Sequence, residues 1–401
     1  MKKIILASVI ASSVLMAGGY KIPELSLNAV ALSSANVAHS IGADAAYYNP
    51  ANMVFMKDEN SIDAALTYIG LEAVNYDGTY TDVLGNTTTH NIDSESENFL
   101  VPSFHYVSSK IGDARIGFSL VVPGGLSKRW EDQPAKAIAK EFTLETVEIN
   151  PSIAYPVNNN LAVAFGVRMV HSSGIVKSSG AVSRDMEGDS IDFGYNLAIS
   201  YKPTSELDIG LTYRSEIDLT VEGDAKLHSG TTLAYNGDAS VSIPLPATLN
   251  LAVAYTFATN TTVEFVYERI YWSAYEELDF DYSTSIGGLT PYFDDPATKD
   301  WDDTNAFRFG LTQPLGDTTI MAGIVFDESP IPNKTVSFDL PDSDSVSISL
   351  GARYAIDSSL DIGIAALYSM RDDRKVDNDS LVGEFSNSDV LIVSVGVGYK
   401  F

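Results

Sequence analysis

Arginine is the residue with the most chemistry to offer in this sequence. Arg168, Arg214, Arg308 and Arg353 each lie in a run where apolar and polar side chains alternate, and each falls on the polar side. Val163, Phe165, Val167 and Met169 alternate with Ala162, Ala164, Gly166 and Arg168; Phe307, Phe309 and Leu311 alternate with Arg308 and Gly310. A guanidinium grips a carboxylate through two parallel hydrogen bonds. The row therefore reads in two ways. It holds an anionic group, or it pairs internally with Glu216, Asp218, Glu264, Glu268 and Asp361. Arg214, two residues from Glu216 in the same row, reads as structural. Lys128 and Arg129 stand in a short polar stretch, as solvated charge or as a second cationic contact. Catalysis has no such support. The five histidines are scattered, His105 and His171 lack a motif around them, and cysteine is absent. There is no nucleophile elbow and no phosphate-cradling glycine loop. No catalytic residue, cofactor or metal site is expected.

These side chains need strands to position them. Residues 390–401 read VLIVSVGVGYKF. Leu391, Val393, Val395, Val397, Tyr399 and Phe401 share one face; Ser394, Gly396, Gly398 and Lys400 share the other. Period two is a strand. An apolar outer face over a small, polar inner face is the pattern of a transmembrane β-barrel. Fourteen such runs follow residue 58, at about 59–74, 98–109, 113–123, 142–156, 160–173, 190–203, 206–222, 239–257, 261–280, 302–314, 317–327, 344–356, 359–371 and 388–401. Short Gly/Pro/Asn/Asp/Ser turns alternate with longer connections, as in outer-membrane barrels with short periplasmic turns. In the seventh run Leu211, Tyr213, Ile217, Leu219 and Val221 are placed on the lipid face, with Thr212, Arg214, Glu216, Asp218 and Thr220 opposite. Arg269 is the one mid-strand charge on the lipid side, near a strand end where it snorkels.

Composition narrows the function further. The formal charge of −28 repels phosphate backbones, which excludes nucleic acid. Residues 1–17 join Lys2 and Lys3 to an apolar run and a small-residue cleavage site, a secretory signal peptide with the mature start near Gly18. Residues 18–58 do not alternate. Their apolar content and the Asn49-Pro50-Ala51 turn suggest short helices buried in the barrel lumen, a hatch ahead of the barrel at 59–401.

Several stretches resemble the FadL-type family of outer-membrane transporters for long-chain fatty acids and other hydrophobic molecules. They are NPA at 49–51, GLTYRSEIDLTVEGDA at 210–225, PLPATLNLAVAY at 244–255, YWSAYEELDF at 271–280 and FDESPIPNKTVSFDLPDSD at 326–344. The resemblance implies an all-β, fourteen-stranded antiparallel transmembrane barrel with an N-terminal plug. It implies a multi-pass protein of the Gram-negative outer membrane, surrounded by lipid and lipopolysaccharide and expected as a monomer. It also implies a third strand kinked to open a side window, through which ligand leaves into the bilayer. GFSLVVPGGLSKRW at 117–130 matches that strand, which puts the kink at Pro123, Gly124 and Gly125. Proline removes a ladder donor and glycine bends the chain, so a gap is physically sensible there; the same residues also read as the start of an outer loop. Lys128, Arg129, Arg168, Arg308 and Arg353 are then the candidates for a fatty acid's carboxylate. An uncharged aromatic or aliphatic hydrocarbon is the alternative substrate, and a general porin a more distant one. The acidic outer loops (Asp294, Asp295, Asp300, Asp302, Asp303; Asp372, Asp373, Asp377, Asp379) read as solvated charge, or as bridged by divalent cations to lipopolysaccharide.

Overall fold

The computed structural model describes residues 18–401; the signal-peptide assignment at 1–17 lies outside them. Fourteen antiparallel strands close into a barrel. They are β1 (Ser61–Leu71), β2 (Glu97–Val107), β3 (Arg115–Val121 and Gly125–Arg129), β4 (Glu141–Pro156), β5 (Leu161–Lys177), β6 (Val182–Tyr201), β7 (Leu207–Arg214 and Ile217–Ser229), β8 (Thr232–Leu245 and Thr248–Thr256), β9 (Thr262–Ile270), β10 (Thr304–Leu315), β11 (Thr318–Asp327), β12 (Ser345–Ala355), β13 (Leu360–Arg371) and β14 (Val390–Lys400). The closing contact runs from Ser61–Lys400 to Leu71–Val390. Among the described residues no helix is long and apolar enough to cross a membrane.

The alternation behaves as its chemistry dictates. Phe165, Phe309, Ile348, Leu350 and Val395 are exposed on the outside, whereas Arg308 and Ser394 are buried inside. Tyr155, Tyr201, Tyr255, Tyr354 and Tyr399 end five strands on the short-turn side, and all are exposed. This is the aromatic girdle that barrels place at a membrane interface. Arg269 keeps to the outer row and pairs with Asp303, just before β10, at 3.1 Å.

Two sequence expectations need correction. The stretches at 174–189 and 223–238, read as loops, are mostly strand: β5–β6 and β7–β8 continue as long hairpins. Beyond the membrane neither face must be apolar, so alternation fades while the hydrogen-bonded ladder continues. The seventh strand also changes faces. Arg214 points inward, but after the break at residues 215–216 it is Ile217, Leu219 and Val221 that are buried, with Glu216 and Asp218 exposed. The break faces Pro246, which has no N–H for the ladder. Residues assigned to lipid thus line the interior of the outer half.

Residues 18–58 sit against the inner wall. The helix α1 (Leu27–Leu32) is apolar nearly all round and wholly buried, capped by Ser26 Oγ accepting from Ala29 N. It lies close to β12 and β11, where a Cβ on Gly351 would press on Ala31 and one on Gly323 would strike the Leu32 carbonyl. Glu264 on β9 accepts from Val37 N (2.7 Å), Ala38 N (2.7 Å) and His39 N (3.1 Å). Hydrogen bonds to a charged group contribute about 1.5–3 kcal/mol each. Arg115, wholly buried, donates to the carbonyls of Met53, Met56, Lys57, Glu59 and Ser108. Glu264, expected to pair with an inward arginine, instead holds backbone N–H groups, and Arg115, an Arg at a strand start, carries no spacing signal in the sequence.

Candidate functional site

A narrow cavity lies between residues 18–58 and the inner wall from β5 to β10. Ile22, Val37, Tyr47, Tyr48, Pro123, Leu245 and Pro246 give it apolar walls. Lys21, Arg168, Arg214 and Arg308 face it, with Glu268 as the one lining carboxylate. Arg168 grips Glu148 on β4 (Nε–Oε1 3.2 Å, Nη2–Oε2 3.0 Å) and donates to Ser215 O at 2.6 Å. Arg214 reaches the same Glu148 and lies 3.9 Å over the Tyr47 ring. Lys21 and Arg308 share Glu268, at 2.7 and 2.9 Å. Arg308 also approaches Glu24 at 3.9 Å. Burial pushes the Glu24 carboxyl up to about 7, against the pull of Arg308 and Lys21, so it gives up part of its charge near neutral pH. Three carboxylates, Glu148, Glu268 and a partly neutralised Glu24, thus serve four cations.

The other sequence candidates fall elsewhere. Arg353 is held away from the cavity by Asp63 (2.8 Å), Asp361 and Asn28 Oδ1 (2.7 Å), tying β12 to β1, β13 and the start of α1. Arg129 makes a two-fold contact with Glu97 (2.7 and 2.5 Å). Lys128 is buried, not solvated, and has Ser94 Oγ at 3.4 Å as its polar neighbour. The partner proposed for Arg214 changes from Glu216 to Glu148, because the break after Ser215 turns Glu216 outward. Asn49 is buried, donating to Val37 O (2.9 Å) and to Ile199 O on β6 (3.3 Å), while its Oδ1 accepts from Ala51 N. Pro50 opens the 3₁₀ turn Pro50–Phe55, and Pro50 and Ala51 are buried beside Asn49. His105 is structural, its Nε2 donating to Leu25 O at 2.9 Å. In the acidic loops Asp300 pairs with Lys334 and Asp303 with Arg269, while Asp294, Asp295, Asp302, Asp372, Asp373, Asp377 and Asp379 are exposed. Among the described residues no group of His, Cys, Asp and Glu is arranged to hold a metal ion.

The wall is parted beside the cavity. β2 and β3 pair only from Phe104–Leu120 to Val107–Gly117. They meet again at Ser94–Trp130, so residues 95–103 and 121–129, equal lengths of chain, run past one another without a ladder. At the break β3 bonds inward: Ile22 N donates to Pro123 O (3.0 Å) and Gly125 N to Tyr20 O (2.8 Å). Residues 121–128 are nonetheless buried, so the parting is closed by side chains. Farther out, a second pocket lies between the long hairpins. Phe142, Val176, Met186, Val221, Ile243 and Phe280 line it. The Arg184 guanidinium stands 4.9 Å over Phe280 and 5.6 Å over Phe293. Ile243 lines the outer cavity and Leu245 the inner, so one row of β8 joins them.

Residues 8–401 match the family described as outer membrane protein transport protein (OMPP1/FadL/TodX). The chain belongs to this family. It is accordingly an outer-membrane transporter for hydrophobic compounds, not an enzyme. It is 23% identical over 375 residues to a long-chain fatty acid transport protein of Escherichia coli O6:H1, covering 80% of each chain. A Pseudomonas aeruginosa FadL homologue of known structure superposes with a TM-score of 0.84 at 20% identity, over 95% of this chain and 99% of that one. The Pseudomonas putida toluene transporter TodX superposes at 0.71 and 17% identity, over 94% and 98%. At such identities the structural likeness speaks to the fold.

Proposed function

We propose that this protein takes up long-chain fatty acids across the outer membrane. The observation that carries this reading is the inner cavity, where Lys21, Arg168, Arg214 and Arg308 face one lining carboxylate. A purely hydrocarbon site would gain nothing from that arrangement, since buried cations cost solvation free energy. The signal peptide is removed on export, and the mature chain acts as a monomer whose whole outer face meets lipid and, in the outer leaflet, lipopolysaccharide. A ligand first lodges its chain in the outer apolar cavity, where each CH₂ leaving water contributes about 0.8 kcal/mol. It passes along Ile243 and Leu245 to the inner cavity, where the carboxylate meets the cations. It leaves sideways between β2 and β3, past Pro123, Gly124 and Gly125. Residues 18–58 act as the hatch that keeps the lumen from becoming an open pore, with Asn49, Pro50 and Ala51 holding it to the wall.

A binding titration of detergent-purified protein tests the substrate. A long-chain fatty acid should bind at least about tenfold more tightly than its methyl ester, the 1.4 kcal/mol that one charge-assisted contact supplies. Equal or tighter binding of a size-matched alkane or a monoaromatic would move the assignment to uncharged hydrocarbons.

The exit is tested separately. Pro123→Val with Gly124→Ala restores a ladder donor and adds a Cβ that would sit 3.1 Å from both Leu245 Cδ1 and Tyr20 O. Uptake by cells should fall to background while the purified variant still binds ligand. Full uptake at equal surface level would remove the side exit.

A further inference from the structure

Gly18 is buried, and so is the carboxylate it faces. An ideal Cβ on Gly18 would lie 3.2 Å from both carboxylate oxygens of Asp327, at the end of β11. Asp327 is 8% exposed, its Oδ1 has no hydrogen-bond partner, and no cation stands within ion-pair distance of it among the described residues. A buried carboxylate is normally paired. The neighbouring cations are committed elsewhere. Lys21 and Arg308 hold Glu268, Arg308 leans towards Glu24, and Arg371 pairs with Asp342. Lys128, beside Arg371, contacts Ser94. Of the four carboxylates Glu24, Glu268, Asp327 and Asp342, Asp327 is the one left without a cation. The next residue is already fixed: Gly19 N donates to Asp342 Oδ2 at 3.2 Å.

We propose that leader cleavage at the Ala17–Gly18 bond creates the missing partner, the new α-ammonium of Gly18 pairing with Asp327 inside the barrel. Water adds across the amide. Residue 17 leaves as a carboxylate, and the freed amine of Gly18 takes up a proton to become a cation near neutral pH. The uncleaved chain has only a neutral amide there. Gly18 and Gly19 have φ of 85° and 77°, a region L side chains rarely adopt, and a Cβ on Gly19 would lie 2.7 Å from Trp272. A chain start of two glycines is what lets the terminus turn into this enclosed spot. The pair would lock the beginning of the hatch to β11, two residues before Tyr20, where Tyr20 and Lys21 meet β3 and the inner cavity. Maturation would thereby complete the hatch only after export.

This inference rests on the signal-peptide reading above, and the experiment separates the two. Protein purified from outer membranes is first sequenced from its N-terminus. A start other than Gly18 overturns both the cleavage site and the pair. With a Gly18 start, an amine-acylating reagent is applied near neutral pH to folded and to urea-unfolded protein. The Gly18 amine should react at least about tenfold more slowly in the folded barrel, as expected for a group exposed only by local opening. Equal rates would overturn the pair while leaving the leader intact. A zero-length carbodiimide should join Gly18 to Asp327 in the wild type, and a tryptic map without that crosslink counts against the proposal. In Asp327→Asn, checked for folding by heat-dependent gel mobility, protection should be lost; retained protection would overturn Asp327 as the partner.

Discussion

Arg214→Met will weaken binding of a long-chain fatty acid about 10- to 100-fold, the 1.5–3 kcal/mol of a hydrogen bond to a charged group, and leave binding of an alkane of the same length unchanged. The variant is chosen because its cost to the fold is small. Glu148 keeps Arg168, which already holds it through two nitrogens at 3.0–3.2 Å. Methionine retains the apolar contact with the Tyr47 ring. What disappears is the cation in excess of Glu148's needs. Parallel titrations of acid and alkane on the purified variant read the result. Unchanged acid affinity would place the head group on the Lys21–Arg308 side of the cavity. An equal loss for both ligands would mean a damaged pocket.

Arg353→Met should lower stability by about 3–5 kcal/mol, the usual cost of removing one member of a buried charge set. The loss leaves Asp63 on β1 and Asp361 on β13, either side of β14, without a cation, and cuts the bond to Asn28 in α1. The apparent unfolding midpoint should drop, with earlier proteolysis of residues 18–58. Adding Asp63→Asn should recover part of the loss, since the two sites are coupled. Fatty acid affinity of the folded protein should not change, because Arg353 does not line the cavity. A weakened affinity with a normal midpoint would return Arg353 to the ligand.

The two variants separate roles that look identical along the chain. Arg214 and Arg353 each stand on the inward face of an alternating run. What distinguishes them is how many carboxylates converge on each. Glu148 is 66 residues before Arg214 and serves two arginines; Asp63 is far from Arg353 in sequence and shares it with Asp361. No local spacing encodes such convergence, because it is made by strands brought together on closure.

The sequence by itself determined the architecture. Period-two alternation and alternating short and long connections are local consequences of strand geometry in lipid, and they placed all fourteen strands and most inward residues. The family was legible for the same reason, in contiguous stretches such as TYRSE and DESPIP. Tertiary structure alone decided the site. The inversion of β7 at residues 215–216 depends on a proline in its neighbour. The parting between β2 and β3 depends on Tyr20–Ile22 taking up the bonds of Pro123 and Gly125. The balance of charge around the cavity depends on which carboxylates the closed barrel sets against which cations. Each is a contact between residues distant in the chain, fixed by closure and not by periodicity.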